Sequence, residues 1–119
     1  MECLTPAVFH ILLALADGER HGYSIMREVA EHTNEQFVMG PVTLYGTLKR
    51  MLESQLIEEC GERPDPALTE ERRRYYRITK QGQRAAMGEA SRLQTLVRVA
   101  RRKYPLATLA HSRREDDQV

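Results

Sequence analysis

GPVTLYGTLKRML, from Gly40 to Leu52, is the stretch on which the reading of the whole chain turns. Leu44, Leu48, Met51 and Leu52 recur at the i, i+4, i+7, i+8 spacing of a buried helical stripe. Thr43, Tyr45, Thr47, Lys49 and Arg50 fall mostly on the other side. That side carries hydroxyls, an aromatic ring and two cations, and no carboxylate precedes Glu53. Such a face suits a phosphate backbone and base edges. Gly40-Pro41 gives the helix a sharp start, because proline fits the first turn, where its missing N–H costs nothing. The stretch reads as a recognition helix, and its flanks as the parts that position, brace and duplicate it.

Upstream, Thr5-Pro6 opens a helix, with Thr5 as N-cap and Pro6 in the first helical position. Val8, Ile11, Leu12 and Leu15 form its apolar stripe, and Asp17-Gly18 ends it. A second helix starts around His21 to Ser24, carries Ile25, Met26, Val29 and Ala30 inward, and fades at His32 to Asn34. A connector from Glu35 to Met39 leads to Gly40. Three helices, the last two joined by a short turn, make a helix-turn-helix.

Downstream the period changes. Leu56 to Cys60 reads as a short strand, and Gly61 to Glu71, with Pro64 and Pro66, reads as a loop. RRRYYRIT, from Arg72 to Thr79, alternates as a second strand, with Arg74, Tyr76 and Ile78 on one face and Arg73, Tyr75 and Arg77 on the other. Two strands and a polar loop make a wing whose arginines suit backbone phosphates. Tyr76 and Ile78 are expected to be more buried than Tyr75. From Lys80 to about Tyr104 the helical period returns, with Thr79 as N-cap. Ala86, Ala90, Leu93, Val97, Ala100 and Tyr104 alternate at four- and three-residue steps, with Leu96 beside them, as a heptad seam. A helix of about 25 residues is about 37 Å long. Its seam is expected to meet the same helix of a second copy; the alternative is that it folds back on the first helix of its own chain. The expected organisation is residues 1–79 as a DNA-binding domain, 80–104 as a dimerisation helix and 105–119 as a disordered tail.

The net charge of +1 conceals a polarity. Residues 1–71 hold 5 Lys/Arg against 13 Asp/Glu, and residues 72–119 hold 13 against 4. A chain polarised this way can hold a polyanion at its basic end; the plainer alternative is that the charges keep helices soluble. No apolar run reaches the roughly 18–20 residues needed to cross a bilayer, and the N-terminus lacks the pattern of a signal peptide. Cys3 and Cys60 are too few for a secreted disulfide framework, so free thiols in a reducing cytoplasm are expected. The four histidines are not spaced with the cysteines as zinc ligands. His21 is expected to cap a helix start. The sequence contains no nucleophile–base pair, glycine-rich phosphate loop or paired-carboxylate spacing, so neither a catalytic centre nor a cofactor is expected.

HGYSI (21–25), MGPVTLYGTLKRM (39–51), LIEE (56–59), RPDPALTEERRRYYRIT (63–79) and KQG (80–82) together resemble the PadR family of bacterial transcriptional regulators. The resemblance spans nearly all of residues 4–103, and the LYG signature with the long wing resembles a short subgroup with a single C-terminal dimerisation helix. It implies a mainly α fold with a small β-hairpin wing: a winged helix-turn-helix plus a long C-terminal dimerisation helix. It further implies a homodimeric repressor on a roughly palindromic double-stranded DNA operator, released by a small aromatic or drug-like inducer.

Carried onto this sequence, it places Thr43, Tyr45 and Lys49 on the DNA-facing side of the recognition helix, with Arg73, Arg74 and Tyr75 in the wing. Thr47 and Arg50 complete the expected contact set. Gln55 departs from the family's usual glycine, a common left-handed helix cap. Some of these residues have a structural alternative. The Tyr45 ring can pack on the wing, Arg50 can pair with Glu53 or Glu28, and the wing arginines can neutralise Glu58, Glu59, Glu70 and Glu71. An inducer pocket is expected between the dimer helix and the first helix, lined by Phe9, Leu12, Leu13, Leu93 and Val97.

Overall fold

The computed structural model describes residues 4–64 and 72–104. Cys3, Glu70, Glu71, His111 and the 105–119 tail lie outside the described residues. Along the chain run α1 (Pro6–Ala14), β1 (Arg20–His21), α2 (Gly22–His32), α3 (Pro41–Glu53), β2 (Ile57–Pro64), β3 (Arg72–Ile78) and α4 (Lys80–Lys103). This is a winged helix-turn-helix: four helices and a small antiparallel sheet.

Each helix starts where the sequence provides an acceptor or a proline. Thr5 caps α1 through a Val8 N–H bond to Oγ1 at 3.3 Å. His21 caps α2 through Ser24 N–H to Nδ1 at 3.3 Å, and Thr79 caps α4 through Gly82 N–H to Oγ1 at 3.0 Å. Helix α3 starts at Pro41, after Gly40.

Its end explains Gln55. Leu56 N–H bonds Met51 O at 3.0 Å and Gln55 N–H bonds Leu52 O at 3.1 Å, the paired bonds of a Schellman cap. The residue at the cap's left-handed position is Gln55, at φ +63°. The helix therefore stops after Glu53 without the glycine, at a conformational cost. Helix α2 ends in the same way, with Glu35 N–H on Ala30 O at 2.8 Å and Asn34 at φ +52°.

The core forms where the three helices meet the sheet. Ile11, Leu12, Leu15, Ile25, Val29, Leu44, Leu48, Met51, Ile57 and Tyr76 are all buried. Burying an aliphatic side chain is worth about 1.5–3 kcal/mol and an exposed ion pair about 0–1. The orientation of α3 is thus set by Leu44, Leu48 and Met51 rather than by surface charge. Leu12, expected to line an inducer pocket, is fully enclosed in this core; Phe9 is half-buried and Leu13 is exposed.

The wing differs from the expected two-stranded hairpin. β3 is the central strand of three, in the order β1-β3-β2. The two residues of β1 pair Arg20 with Tyr76 and His21 with Tyr75. A run that short has no periodicity to betray it in sequence. β2 also runs past Cys60 to Pro64, because an irregularity between Glu59 and Glu62 restores pairing with β3. Of the two tyrosines, Tyr76 lies in the core and Tyr75 is half-buried, as expected.

The chain divides between Met87 and Gly88 into two compact units. In the first, α4 begins hard against the α3–β2 turn: a Cβ on Gly82 would fall 2.1 Å from Leu56 O. Only glycine permits that approach. The first two turns of α4 consequently rest on the core, and Ala86, expected in the intermolecular seam, packs there instead beside Ala85. In the second unit Ala90, Leu96, Val97 and Tyr104 are exposed, and Leu93 and Ala100 are partly covered.

Candidate nucleic-acid interface

Successive residues of a helix are turned by about 100°. On α3 this places Val42, Gly46, Lys49 and Glu53 within about 60° of one another and opposite buried Met51. Thr43 and Arg50 lie to one side of that line and Tyr45 to the other. The structure agrees: Val42 is 89 % exposed and Tyr45 49 %, and Thr43, Lys49 and Arg50 are exposed. Gly46 leaves a bare patch in the middle of the face, where an added Cβ would meet only Arg50 Nη1, at 3.8 Å.

Thr47 is a correction. Expected on the outer face, it is fully buried. Its hydroxyl donates back to Thr43 O at 2.7 Å and accepts from Arg50 Nη2 at 3.3 Å. With its polar atom paired inside the helix, the rest of the side chain behaves as a small apolar group beside Leu44 and Met51. Arg50 is held by this bond rather than by Glu53 or Glu28.

The Tyr45 ring lies against the start of α2. A Cβ on Gly22 would come within 2.3 Å of Tyr45 Oη and 2.8 Å of Cζ. Tyr45 therefore has one covered side and one open side. Next to Gly22, Tyr23 is half-exposed and flanked by two guanidinium groups, Arg27 and Arg73, each with Cζ 5.5 Å from the ring centre. Arg73 Nη1 also lies 3.3 Å from His21 Nδ1. Sequence reading missed Tyr23 and Arg27. The (i, i+4) spacing that stacks one on the other was present in the sequence, but as an unremarkable pair on an outward helix face.

The wing arginines divide. Arg74 approaches Glu59 at 3.7 Å and Glu62 at 3.6 Å across the strands. Arg77 bonds Glu58 at 2.7 Å and lies 3.9 Å from Glu19. The neutralising alternative thus holds for Arg74, which the sequence had set against DNA. Tyr75 is likewise occupied in the scaffold: His21 meets its ring edge-on at 5.3 Å, and the Arg63 guanidinium covers it at 4.1 Å.

A second interior anchor was also missed. Arg20 donates from Nε to Ala14 O at 2.8 Å and from Nη1 to Ser24 Oγ at 3.0 Å, and pairs with Glu28 at 3.2 Å. It ties the end of α1 to α2.

Toward the loop end of β2, Arg63 pairs with Glu19. Its hydrogen bond holds the Glu19 carboxyl below the usual carboxylate range. Burial, then the charge of Glu19, push the Cys60 thiol up. Cys60 therefore stays protonated and weakly nucleophilic at neutral pH. Among the described residues no group of His, Cys, Asp and Glu could hold a metal ion, and no helix is long and apolar enough to cross a membrane.

Comparison with known proteins agrees with this geometry. A protein of Lysinibacillus sphaericus, itself uncharacterised, is 34 % identical over 73 residues, 60 % of this chain and 63 % of that protein. The chain thus spans less than two thirds of that relative's length. In fold, the chain is similar to a PadR family transcription regulator from Clostridium difficile R20291, with a TM-score of 0.69, 23 % identity, and coverage of 82 % of this chain and 97 % of that one. It is also similar to Bacillus subtilis PadR, solved in complex with operator DNA, with a TM-score of 0.60, 21 % identity, and coverage of 68 % and 44 %. The model of the transcriptional regulator PadR-like family matches residues 11–87, about two thirds of the sequence. The chain belongs to the PadR-like family of transcriptional regulators.

Proposed function

We propose that the protein is a cytoplasmic, homodimeric repressor that binds a roughly palindromic operator and releases it when a small aromatic or drug-like molecule binds. The observation that carries this reading is the outer face of α3. Its first three turns expose Thr43, Lys49 and Arg50 around a bare Gly46, with no carboxylate before Glu53. A helix of this kind enters a major groove. Tyr23 with Arg27 and Arg73 supplies stacked, pre-positioned cations beside it, suited to phosphates. The Bacillus subtilis PadR complex shows a similar fold on its operator.

The contact set on this reading is Thr43, Tyr45, Lys49 and Arg50 with Arg73, joined by Arg27 and Tyr23. Thr47 drops out because it is buried, and Arg74 and Tyr75 because they are engaged within the wing. Leu96, Val97 and Tyr104, with Ala90, Leu93 and Ala100, offer the apolar stripe on which a second copy would sit. Such a dimer would hold the recognition helices about one DNA turn apart, roughly 34 Å. An inducer acts by preferring one spacing of those helices over another, since equal affinity for both shifts nothing.

The test uses the duplex upstream of the gene that encodes this chain, with wild type, Lys49→Ala and, as a control at the wing base, Glu58→Gln. Lys49→Ala is expected to weaken binding about tenfold and to lower the log–log salt slope by about one. Glu58→Gln leaves affinity unchanged or slightly improved. Equal affinities for wild type and Lys49→Ala would remove α3 as the binding element.

A further inference from the structure

Val42 is the most exposed large apolar side chain among the described residues, at 89 %. It sits in the first turn of α3, after Pro41, and lies within about 20° of Lys49 on the outermost line of the helix. Its own chain covers so little of it that packing does not explain a branched aliphatic group there. Serine or lysine would be better solvated, and valine is a weaker helix former than lysine. Its neighbours along the line narrow what it can meet. One turn on is Gly46, where an added Cβ would meet only Arg50 Nη1, at 3.8 Å, and beyond that is Lys49. To one side stands the Thr43 hydroxyl. A protein partner would cover an apolar patch. Here Val42 stands on the outermost line of the helix between hydroxyls and cations, and Gly46, without a side chain, admits a bulky edge close to the backbone.

We propose that Val42 is a specificity-determining residue that reads the 5-methyl group of a thymine in the major groove. This rests on the DNA-binding reading of α3. The N-terminal residues of a recognition helix are the ones that reach base edges. The one apolar feature on the major-groove floor is the thymine methyl, which aliphatic side chains distinguish from the bare C5 edge of cytosine. The gap over Gly46 lets the groove floor approach, and Lys49 at the next turn and Arg50 beside it are placed for phosphate or guanine. The site would therefore contain a fixed T in each half.

The experiment starts from a random duplex pool, selected on the wild-type protein and on Val42→Ala. Because Val42 is exposed, Val42→Ala is expected to keep the wild-type thermal midpoint, which is checked first. Wild type should enrich a sequence with an invariant T that Val42→Ala no longer requires. In the selected duplex each T is then replaced by dU, which removes only the methyl. At one T per half-site, dU should cost wild type about fourfold, the factor for burying one methyl-sized group, and cost Val42→Ala nothing.

A flat dU scan on a tightly bound selected duplex would overturn the proposal and leave DNA recognition by α3 standing. So would a dU penalty of equal size in both proteins. Failure of the wild type to enrich any sequence would overturn both.

Discussion

At the residue scale, two positions keep a conformation or an environment that the free side chain would not choose. Gln55 occupies the left-handed position of the α3 cap at φ +63°, which costs a non-glycine residue about 1 kcal/mol. Gln55→Gly is expected to raise stability by about that much, which is about 5 °C in thermal midpoint for a domain of this size. A fall in midpoint would mean that the Gln55 side chain contributes more than its backbone costs. The resemblance stated from the sequence pointed to this position, and the helix ends there on Gln55 all the same, at a conformational cost. His10 is the second case. Its Nδ1 is buried with no hydrogen-bond partner among the described residues, and its ring packs on Phe37 with centroids 4.5 Å apart. Burial, then the nearby His32, lower its pKa. The unfolded chain therefore takes up this proton before the folded one does, and stability declines as pH falls below about 6.5 until the folded value is passed. The difference in thermal midpoint between about pH 7.5 and pH 5 should be smaller in His10→Leu than in wild type. An unchanged difference would mean that His10 is not responsible.

At the element scale, what positions the candidate interface is the seating of α3 on α2. At Gly22 the Tyr45 ring occupies the space a Cβ would take, so a larger residue there must displace the ring. Gly22→Ala should be destabilising in wild type and recover most of that loss in a Tyr45→Ala background, a coupling of about 1–3 kcal/mol by denaturant titration. Strict additivity would mean that the two do not share the space. The long elements were legible in sequence because their period is strong: α2, α3 and α4 begin and end within a residue or two of where caps and prolines place them. The inward face of α3 was legible for the same reason. Its outward face was only partly so. Thr47 sits at the border between faces, and a hydroxyl that bonds its own helix cannot be told in sequence from one that faces solvent. Val42 was overlooked although the helical period places it on the outermost line, because a valine in an amphipathic helix is ordinarily assigned to the core. The pairing of a wing arginine with Glu59 was one of two readings the sequence left open, but the two-residue β1, the continuation of β2 beyond Cys60 and the approach of Arg74 to Glu62 depend on register between distant segments. No local pattern encodes that register.

At the scale of the whole molecule, the polarity of charge along the chain becomes a division of labour. Four acids of the first half, Glu19, Glu58, Glu59 and Glu62, pair with arginines of the wing strands, while α3 presents its cations without acidic neighbours until Glu53. The exposed stripe of α4 belongs to the same scale. Leu96→Glu is expected to convert a dimer to a monomer in sedimentation and to weaken operator binding at least tenfold, because each half-site is then held singly. A monomeric wild type would contradict the dimer directly. The reading as a whole stands most exposed in fluorescence-anisotropy titration of the duplex upstream of the protein's own gene against a scrambled duplex, at two salt concentrations. A sequence-specific regulator should prefer the native duplex by about 10³-fold or more at the higher salt. Equal, weak and steeply salt-dependent binding to both duplexes would leave only non-specific attraction to phosphate and would contradict α3 as a reader of this DNA.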